Sequence, residues 1–278
     1  MNKMPKAKKF WKFQAKSDKS GELLLYGEIS SVSWYGDEIT PKEFKKDLDA
    51  LGDIDILNIY VNSPGGDVFA AQGMVNILER HKSEKNIHVD GLMASASTFF
   101  IKVGKVFMPS NAMMMYHNPS SIVWGNATQM RKMADDLDKV RESMLAIYRD
   151  KTGMTDEEII PILDAETWMT AEEAVEYGFA DELEEEKKVA ASISNTILIF
   201  NGIETDMSKF IHPESIIKKF IAFSEPPKPE ADPEPIKDSD PVPDPEPPKN
   251  PEKPRPAPVD FYKFQITRNE RRLKSHGL

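Results

Sequence analysis

Ile54-Asp-Ile-Leu-Asn-Ile-Tyr-Val-Asn-Ser-Pro-Gly-Gly-Asp67 is the stretch on which the reading of this chain turns. Ile54 to Val61 alternates β-branched and large apolar residues with polar ones, the pattern of a strand with one buried face. Proline and two adjacent glycines then stop it. From Asp67 to Arg80 the apolar residues Val68, Ala71, Val75 and Leu78 recur at helical spacing. A strand that passes through a glycine turn into a helix is one step of the strand–helix alternation read along the rest of the chain. The two glycines permit a turn that larger residues cannot follow and leave backbone N–H groups facing outward. On its own the turn serves equally well as an ordinary connection or as an anion cradle.

The same alternation extends in both directions. Leu23 to Ile29 reads as a strand, and Thr40-Pro41-Lys-Glu43 opens a helix with a cap, a proline at the first helical position and a capping box. Ile87–Val89, Val106–Met108 and Met113–Tyr116 read as further strands, and Ala96–Val103 as a helix. A long helix is expected from about Asn126 to Lys151. Its stripe of Met130, Met133, Leu137, Val140, Met144 and Ile147 is either core or a subunit interface. The methionines between 113 and 144 read as packing residues. Thr155-x-x-Glu158 and Thr170-x-x-Glu173 are two more capping boxes. The expectation is an α/β fold with a mainly parallel sheet.

Composition sets the outer limits. The chain has 278 residues, 40% of them hydrophobic, and a formal net charge of −10. It lacks cysteine, which excludes disulfides, thiolate metal sites and a cysteine nucleophile. The charge argues against a nucleic-acid partner. No apolar run reaches the roughly 18 residues of a membrane helix, so no membrane partner is expected. The basic residues among 1–19 read as solvated lysines on a frayed terminus. From Glu225 to Pro258 the chain carries 14 of its 21 prolines among Glu, Asp and Lys. Such a stretch cannot bury enough apolar surface to order itself, so a disordered, Pro-rich tail is expected. The chain divides into a basic N-terminal segment (1–19), a main α/β domain (20–190), an extension with a short strand and helix (191–224), an acidic Pro-rich linker (225–258) and a basic end (259–278).

Two further segments carry chemistry. In Asp90-Gly-Leu-Met-Ala-Ser-Ala-Ser-Thr98, small residues crowd round Ser95 where a strand meets a helix. A serine there either caps the helix or exposes its hydroxyl beside N–H groups able to hold an oxyanion. In Tyr116-His117-Asn118-Pro119, His117 ends an apolar strand at a turn, where α/β folds place reactive groups. His81 lies in a charged stretch, His88 should face the polar side of its strand, and His212 and His276 lie in or near the tail. The acids from Asp181 to Glu186 have no interleaved histidine and read as a solvated face. No metal or organic cofactor is called for.

Taken together these segments resemble the ClpP peptidase family. The resemblance rests on Asn62-Ser-Pro-Gly-Gly66, Gly91-Leu-Met-Ala-Ser95-Ala-Ser97, His117-Asn-Pro119, Gly125-Asn-Ala-Thr128 and Glu173-Ala-Val-Glu-Tyr-Gly178 in this order, over about residues 22–185. It implies a ClpP/crotonase-like spiral of ββα units and a ring-forming homo-oligomer with the long helix between subunits. It also implies serine peptidase activity on protein substrates. Ser95 takes the nucleophile position rather than Ser97, His117 the base, and Gly66 and Ala96 the oxyanion-hole positions. The third member is normally aspartate; Glu166 stands at that place, with Asp164 as fallback. Tyr26-Gly-Glu-Ile29, Asn62–Phe69 and Glu166–Glu173 look most like phage ClpP-related head maturation proteases. That similarity implies a capsid or scaffold protein as substrate, in the host cytoplasm or the procapsid. A housekeeping ClpP subunit working with an ATPase, a crotonase-type acyl-CoA enzyme and a non-catalytic scaffold are the alternatives. With a histidine base, activity should fall as pH drops through about 6.5, or higher if the acid raises it.

Overall fold

The computed structural model describes residues 9–17, 19–30, 41–185, 191–194, 197–200 and 203–209. The chain opens with a hairpin of β1 (Trp11–Ser17) and β2 (Ser20–Tyr26). α1 (Pro41–Asp49) leads to β3 (Ile56–Ser63), and α2 (Val68–Arg80) leads from β3 to β4 (Glu84–Ala94). β2, β3 and β4 pair side by side in parallel. Leu23, Leu25, Ile59, Val61, Ile87 and Val89 alternate onto the buried face of these strands. Ala71, Met74, Val75 and Leu78 of α2 are buried with them.

β4 then serves two partners. Its first part, Asn86–His88, pairs with β5 (Lys105–Pro109), and its far end, Leu92–Ala94, pairs with β6 (Met113–Tyr116). A 3₁₀ helix, Ser95–Val103, links β4 to β5. Beyond β6 come α3 (Ala127–Thr152), α4 (Asp156–Asp164), β7 (Thr167–Met169), α5 (Ala171–Glu176) and β8 (Glu182–Glu184). β7 runs antiparallel to β6, and β8 parallel to β5. The mixed α/β architecture and its mainly parallel sheet agree with the sequence reading.

Four differences from that reading have physical causes. Lys9 to Ser17 is folded: Phe10 and Trp11 are buried, and Trp11 Nε1 donates to Asp47 of α1 at 2.9 Å. This hairpin joins the basic segment to the sheet across the boundary expected at residue 19. β4 is much longer than Ile87–Val89, because it is an interior strand whose polar residues are paired by neighbours. The Ser95 segment is 3₁₀ because its hydroxyls reach carbonyls three residues back. Ser97 Oγ donates to Ala94 O at 2.7 Å and Thr98 Oγ1 to Ser95 O at 2.6 Å. The stripe on α3 divides in two. Met144 and Ile147 are buried, with Tyr148 bonded to Thr98 at 2.8 Å, whereas Met130 stands 51% exposed near the fully exposed Ile122 and Trp124.

Three capping boxes are formed, at Asn126/Gln129, Thr155/Glu158 and Thr170/Glu173. After β8 a separate antiparallel sheet follows: β9 (Ala191–Ser194), β10 (Ile197–Phe200) and β11 (Ile203–Asp206). Leu198 of β10 and Met207 are buried in a cluster with Leu92, Ala94, Met113, Met115 and Trp168. The helix expected within 191–224, the Pro-rich linker and the basic end fall outside the described residues. Among the described residues, no helix is long and apolar enough to cross a membrane.

Candidate active site

The fork in β4 builds the site. Because Ala94 pairs with Met115 and Met93 with Met114, the residues following β4 and β6 emerge side by side. Ser95 and His117 are those residues, and His117 Nε2 lies 2.7 Å from Ser95 Oγ. β7 returns along β6 with Thr167 opposite Tyr116, which sets Glu166 beside the histidine. Glu166 Oε2 is 4.0 Å from His117 Nδ1, and its side chain is almost wholly buried.

Ser95 and Glu166 are the two non-glycine residues with positive φ among the described residues, at 54° and 49°. Such conformations cost on the order of 1–3 kcal/mol and persist only where the surroundings impose them. At Ser95 the surroundings are the glycine turn. A Cβ on Gly65 would lie 2.7 Å from Ser95 Cβ and 2.6 Å from Ala94 O; one on Gly66 would lie 2.1 Å from Ile29 O. The turn is fixed by Ile29, whose N–H donates to Gly65 O at 2.7 Å and whose carbonyl accepts from Asp67 N–H at 2.9 Å. Ser63 Oγ donates to Gly27 O at 2.6 Å and accepts from Gly65 N–H at 3.1 Å. Asp67 caps α2 through Phe69 and Ala70 N–H. Gly66 and Ala96 line the same cavity as Ser95 and His117.

The other candidates sort by their partners. Ser97 is 1% exposed, and its hydroxyl lies within hydrogen-bonding distance of Ala94 O and Ser63 O, so it faces backbone rather than the cavity. Asp164 accepts from Asn118 Nδ2 at 2.7 Å and lies 3.7 Å from Arg141, so it reaches His117 only through its neighbour. His88 stacks between Tyr60 and Phe107 and bonds Glu184 at 2.6 Å, well away from Ser95 in the sheet. Among the described residues no group of three or more His, Asp or Glu is placed to hold a metal ion.

Burial holds the His117 imidazole below its ordinary pKa of 6.5, because the desolvated ring resists protonation; Glu166 pulls in the opposite direction with less effect. The expectation of a pKa at or above the ordinary value is therefore corrected downward. A neutral imidazole at neutral pH is the form that can accept the Ser95 proton. Residues to which the sequence reading gave no part in the site also line the cavity: Asn118, Met144, and Glu204, Thr205 and Asp206 of β11. The β11 residues lie well over 80 positions from either motif, and local pattern carries no signal for them.

A serine in a strained turn at the end of a parallel strand, hydrogen-bonded to a histidine that is backed by a buried carboxylate, is the arrangement of a serine hydrolase on an α/β sheet. Comparison with known families narrows this. The Clp protease family model matches residues 45–187, and the chain belongs to that family, a serine-type peptidase family. It is 36% identical over 141 residues to an ATP-dependent Clp protease proteolytic subunit of Streptococcus gordonii, covering 49% of this chain and 72% of the relative. It is 31% identical over 172 residues to the ATP-dependent Clp protease proteolytic subunit 3 of Streptomyces coelicolor, covering 60% and 79%. Among solved structures, a ClpP1 mutant from Listeria monocytogenes superposes with a TM-score of 0.52 at 24% identity, over 60% of this chain and 92% of that one. That likeness supports the fold.

Proposed function

We propose that Ser95 is the nucleophile, His117 its general base and Glu166 the acid that orients the imidazole. The observation that carries this is the 2.7 Å contact between His117 Nε2 and Ser95 Oγ. His117 takes the hydroxyl proton as Ser95 Oγ attacks the peptide carbonyl, giving a tetrahedral oxyanion. The N–H groups of Gly66 and Ala96 hold it. His117 then returns the proton to the leaving amine, and water, deprotonated by the same base, hydrolyses the acyl-enzyme. A fluorophosphonate probe tests the assignment. Labelling should vanish in Ser95→Ala and persist in Ser97→Ala. A labelled Ser95→Ala protein would refute it.

The substrate reading is phage head maturation: cleavage of a capsid or scaffold protein by a ring-shaped homo-oligomer. It is supported by the resemblance of Tyr26–Ile29, Asn62–Phe69 and Glu166–Glu173 to phage head maturation proteases, and by the long chain beyond the family match. The exposed first half of α3, with Met130, and Trp124 just before it are the surface offered for subunit contact. The names of the curated relatives favour a second reading, a Clp proteolytic subunit serving an ATPase. Coexpression with the major capsid protein, read by mass spectrometry of cleaved termini, separates them. Capsid cleavage without an ATPase supports the first, and an intact capsid protein supports the second.

A further inference from the structure

The peptide between Ser95 and Ala96 has two ends with different duties. Its N–H belongs to Ala96, one of the two donors assigned to the oxyanion. Its carbonyl belongs to Ser95 and points the other way, because a trans peptide is planar and sets C=O and N–H on opposite sides. Whatever holds the carbonyl therefore aims the N–H. Thr98 Oγ1 holds it, donating to Ser95 O at 2.6 Å.

Thr98 is in turn held from α3. Its Oγ1 lies 2.8 Å from the Tyr148 hydroxyl. A hydroxyl has one proton, and that of Thr98 goes to Ser95 O, so Tyr148 donates here and Thr98 accepts. Both residues are buried, and neither lines the cavity of Ser95 and His117. The Tyr148 ring is fixed by edge contacts with Phe99, Tyr116 and Phe179, at centroid distances of 6.1, 5.4 and 6.0 Å. Burial raises the phenol well above its ordinary pKa, against a smaller pull from the Thr98 bond, so it stays protonated at neutral pH. The result is a chain from Tyr148 O–H to Thr98 O–H to Ser95 C=O, and through one peptide to Ala96 N–H. Hydrogen bonds in such a chain polarise one another, which makes the last N–H a stronger donor. The same 3₁₀ helix contains a matched control. Ser97 Oγ donates to Ala94 O at 2.7 Å, but that carbonyl belongs to the peptide ending in Ser95 N, not Ala96 N.

We propose that Thr98 and Tyr148 are positioning residues of the oxyanion hole: Thr98 aims the Ala96 N–H by clamping the Ser95 carbonyl, and Tyr148 acts through Thr98. This rests on Ser95 as nucleophile and Ala96 as oxyanion donor. The test uses the full chain with Thr98→Val, Thr98→Ser, Tyr148→Phe, the Thr98→Val and Tyr148→Phe pair, and Ser97→Ala. Each is measured for kcat and KM on a fluorogenic peptide, and for inhibition by a peptide boronate, whose tetrahedral adduct on Ser95 places an oxygen in the oxyanion hole. Rates are normalised to the fraction of protein titrated to completion by a fluorophosphonate. Losing a whole oxyanion donor costs about 10²–10³ in kcat, and a misaimed donor keeps part of that. Thr98→Val should therefore lower kcat and boronate affinity by about ten-fold each, with KM changed less than about two-fold. The acid limb of the pH profile should stay in place, since His117 is untouched. Thr98→Ser keeps the hydroxyl and should restore both values. Tyr148→Phe should cost about three-fold, and the pair no more than Thr98→Val alone, because one residue acts through the other. Ser97→Ala should leave boronate affinity unchanged. Full boronate affinity in Thr98→Val overturns the proposal, as does Thr98→Ser no better than Thr98→Val, or a pair whose losses multiply. Equal weakening in Ser97→Ala also overturns it, since that identifies a general loosening of the turn. Should Thr98→Val fold poorly, Tyr148→Phe decides, and boronate affinity unchanged in it overturns the proposal. An unmodified chain that does not titrate at Ser95 overturns the nucleophile and the proposal with it, whereas normal titration without these changes overturns the proposal alone.

Discussion

Replacing Glu166 by Gln removes one charge while keeping shape, and the structure sets the size of the effect. The carboxylate lies 4.0 Å from His117 Nδ1 and is buried. At an effective dielectric of about 20, a unit charge at that distance stabilises the imidazolium formed during attack by about 4 kcal/mol. That is about 10³ in rate. The loss should fall short of the roughly 10⁴-fold seen where an orienting acid holds a close hydrogen bond to the imidazole. The same change has a signed effect on pH dependence. Glu166 raises the His117 pKa against the larger lowering by burial. Without it the imidazole protonates only at still lower pH, so the acid limb of kcat/KM moves down while the plateau drops. The assay is peptide hydrolysis from about pH 4 to 8, with thermal unfolding to confirm that the variant is folded. Asp164→Asn should cost less than about ten-fold, because Asp164 contacts Asn118 and Arg141 rather than the imidazole. A larger loss in Asp164→Asn, or an acid limb that moves up in Glu166→Gln, refutes the reasoning.

Three other outcomes follow from the same geometry. The unmodified enzyme should keep activity below pH 6.5, since the His117 pKa is depressed and the base remains neutral there; a midpoint above 6.5 in a pH–rate profile contradicts this. Ser97→Ala should lower stability by about 1 kcal/mol in urea unfolding, through loss of a buried hydrogen bond, while peptide hydrolysis continues. Gly65→Ala should abolish hydrolysis, because its Cβ would press within 2.7 Å of Ser95 Cβ against backbone that cannot retreat; near-normal turnover in a correctly folded variant would show that the turn has slack.

The legible and illegible parts of this chain differ in the range of the forces that fix them. Local signals were sufficient for the strand–turn–helix at Ile54–Arg80, the extent of α3 and the two later capping boxes. Each depends on residues within one or two turns of one another. The length of β4 was not legible, because Glu84–Asn86 and Asp90 look like loop residues until strands on both sides supply their partners. β1 was hidden for a similar reason. Its lysines suggest a solvated end, but Trp11 and Phe13 make ring contacts with Phe44, more than 30 residues away.

The candidate site shows the same division. Gly66, Ser95, Ala96 and His117 sit in segments whose local chemistry left plainer roles open and whose joint order alone carried the resemblance, whereas the choice between Glu166 and Asp164 had only spacing behind it. Spacing is a weak guide there, because the two acids stand only two residues apart, one at the end of α4 and one just before β7. Backbone geometry separates them: Glu166 takes the left-handed conformation just before β7, which turns its carboxylate inward beside β6, while Asp164 ends α4 and faces Asn118. Strain at Ser95 and at Glu166 is thus one device used twice. In each case a chain leaving or entering a strand is bent so that a polar side chain points at His117, and the cost is met by the pairing of β4, β6 and β7 around it. A glycine at either position would relax the bend but delete the chemistry. The strain should therefore appear as lost stability that Glu166→Gly partly restores even as it abolishes orientation of the imidazole.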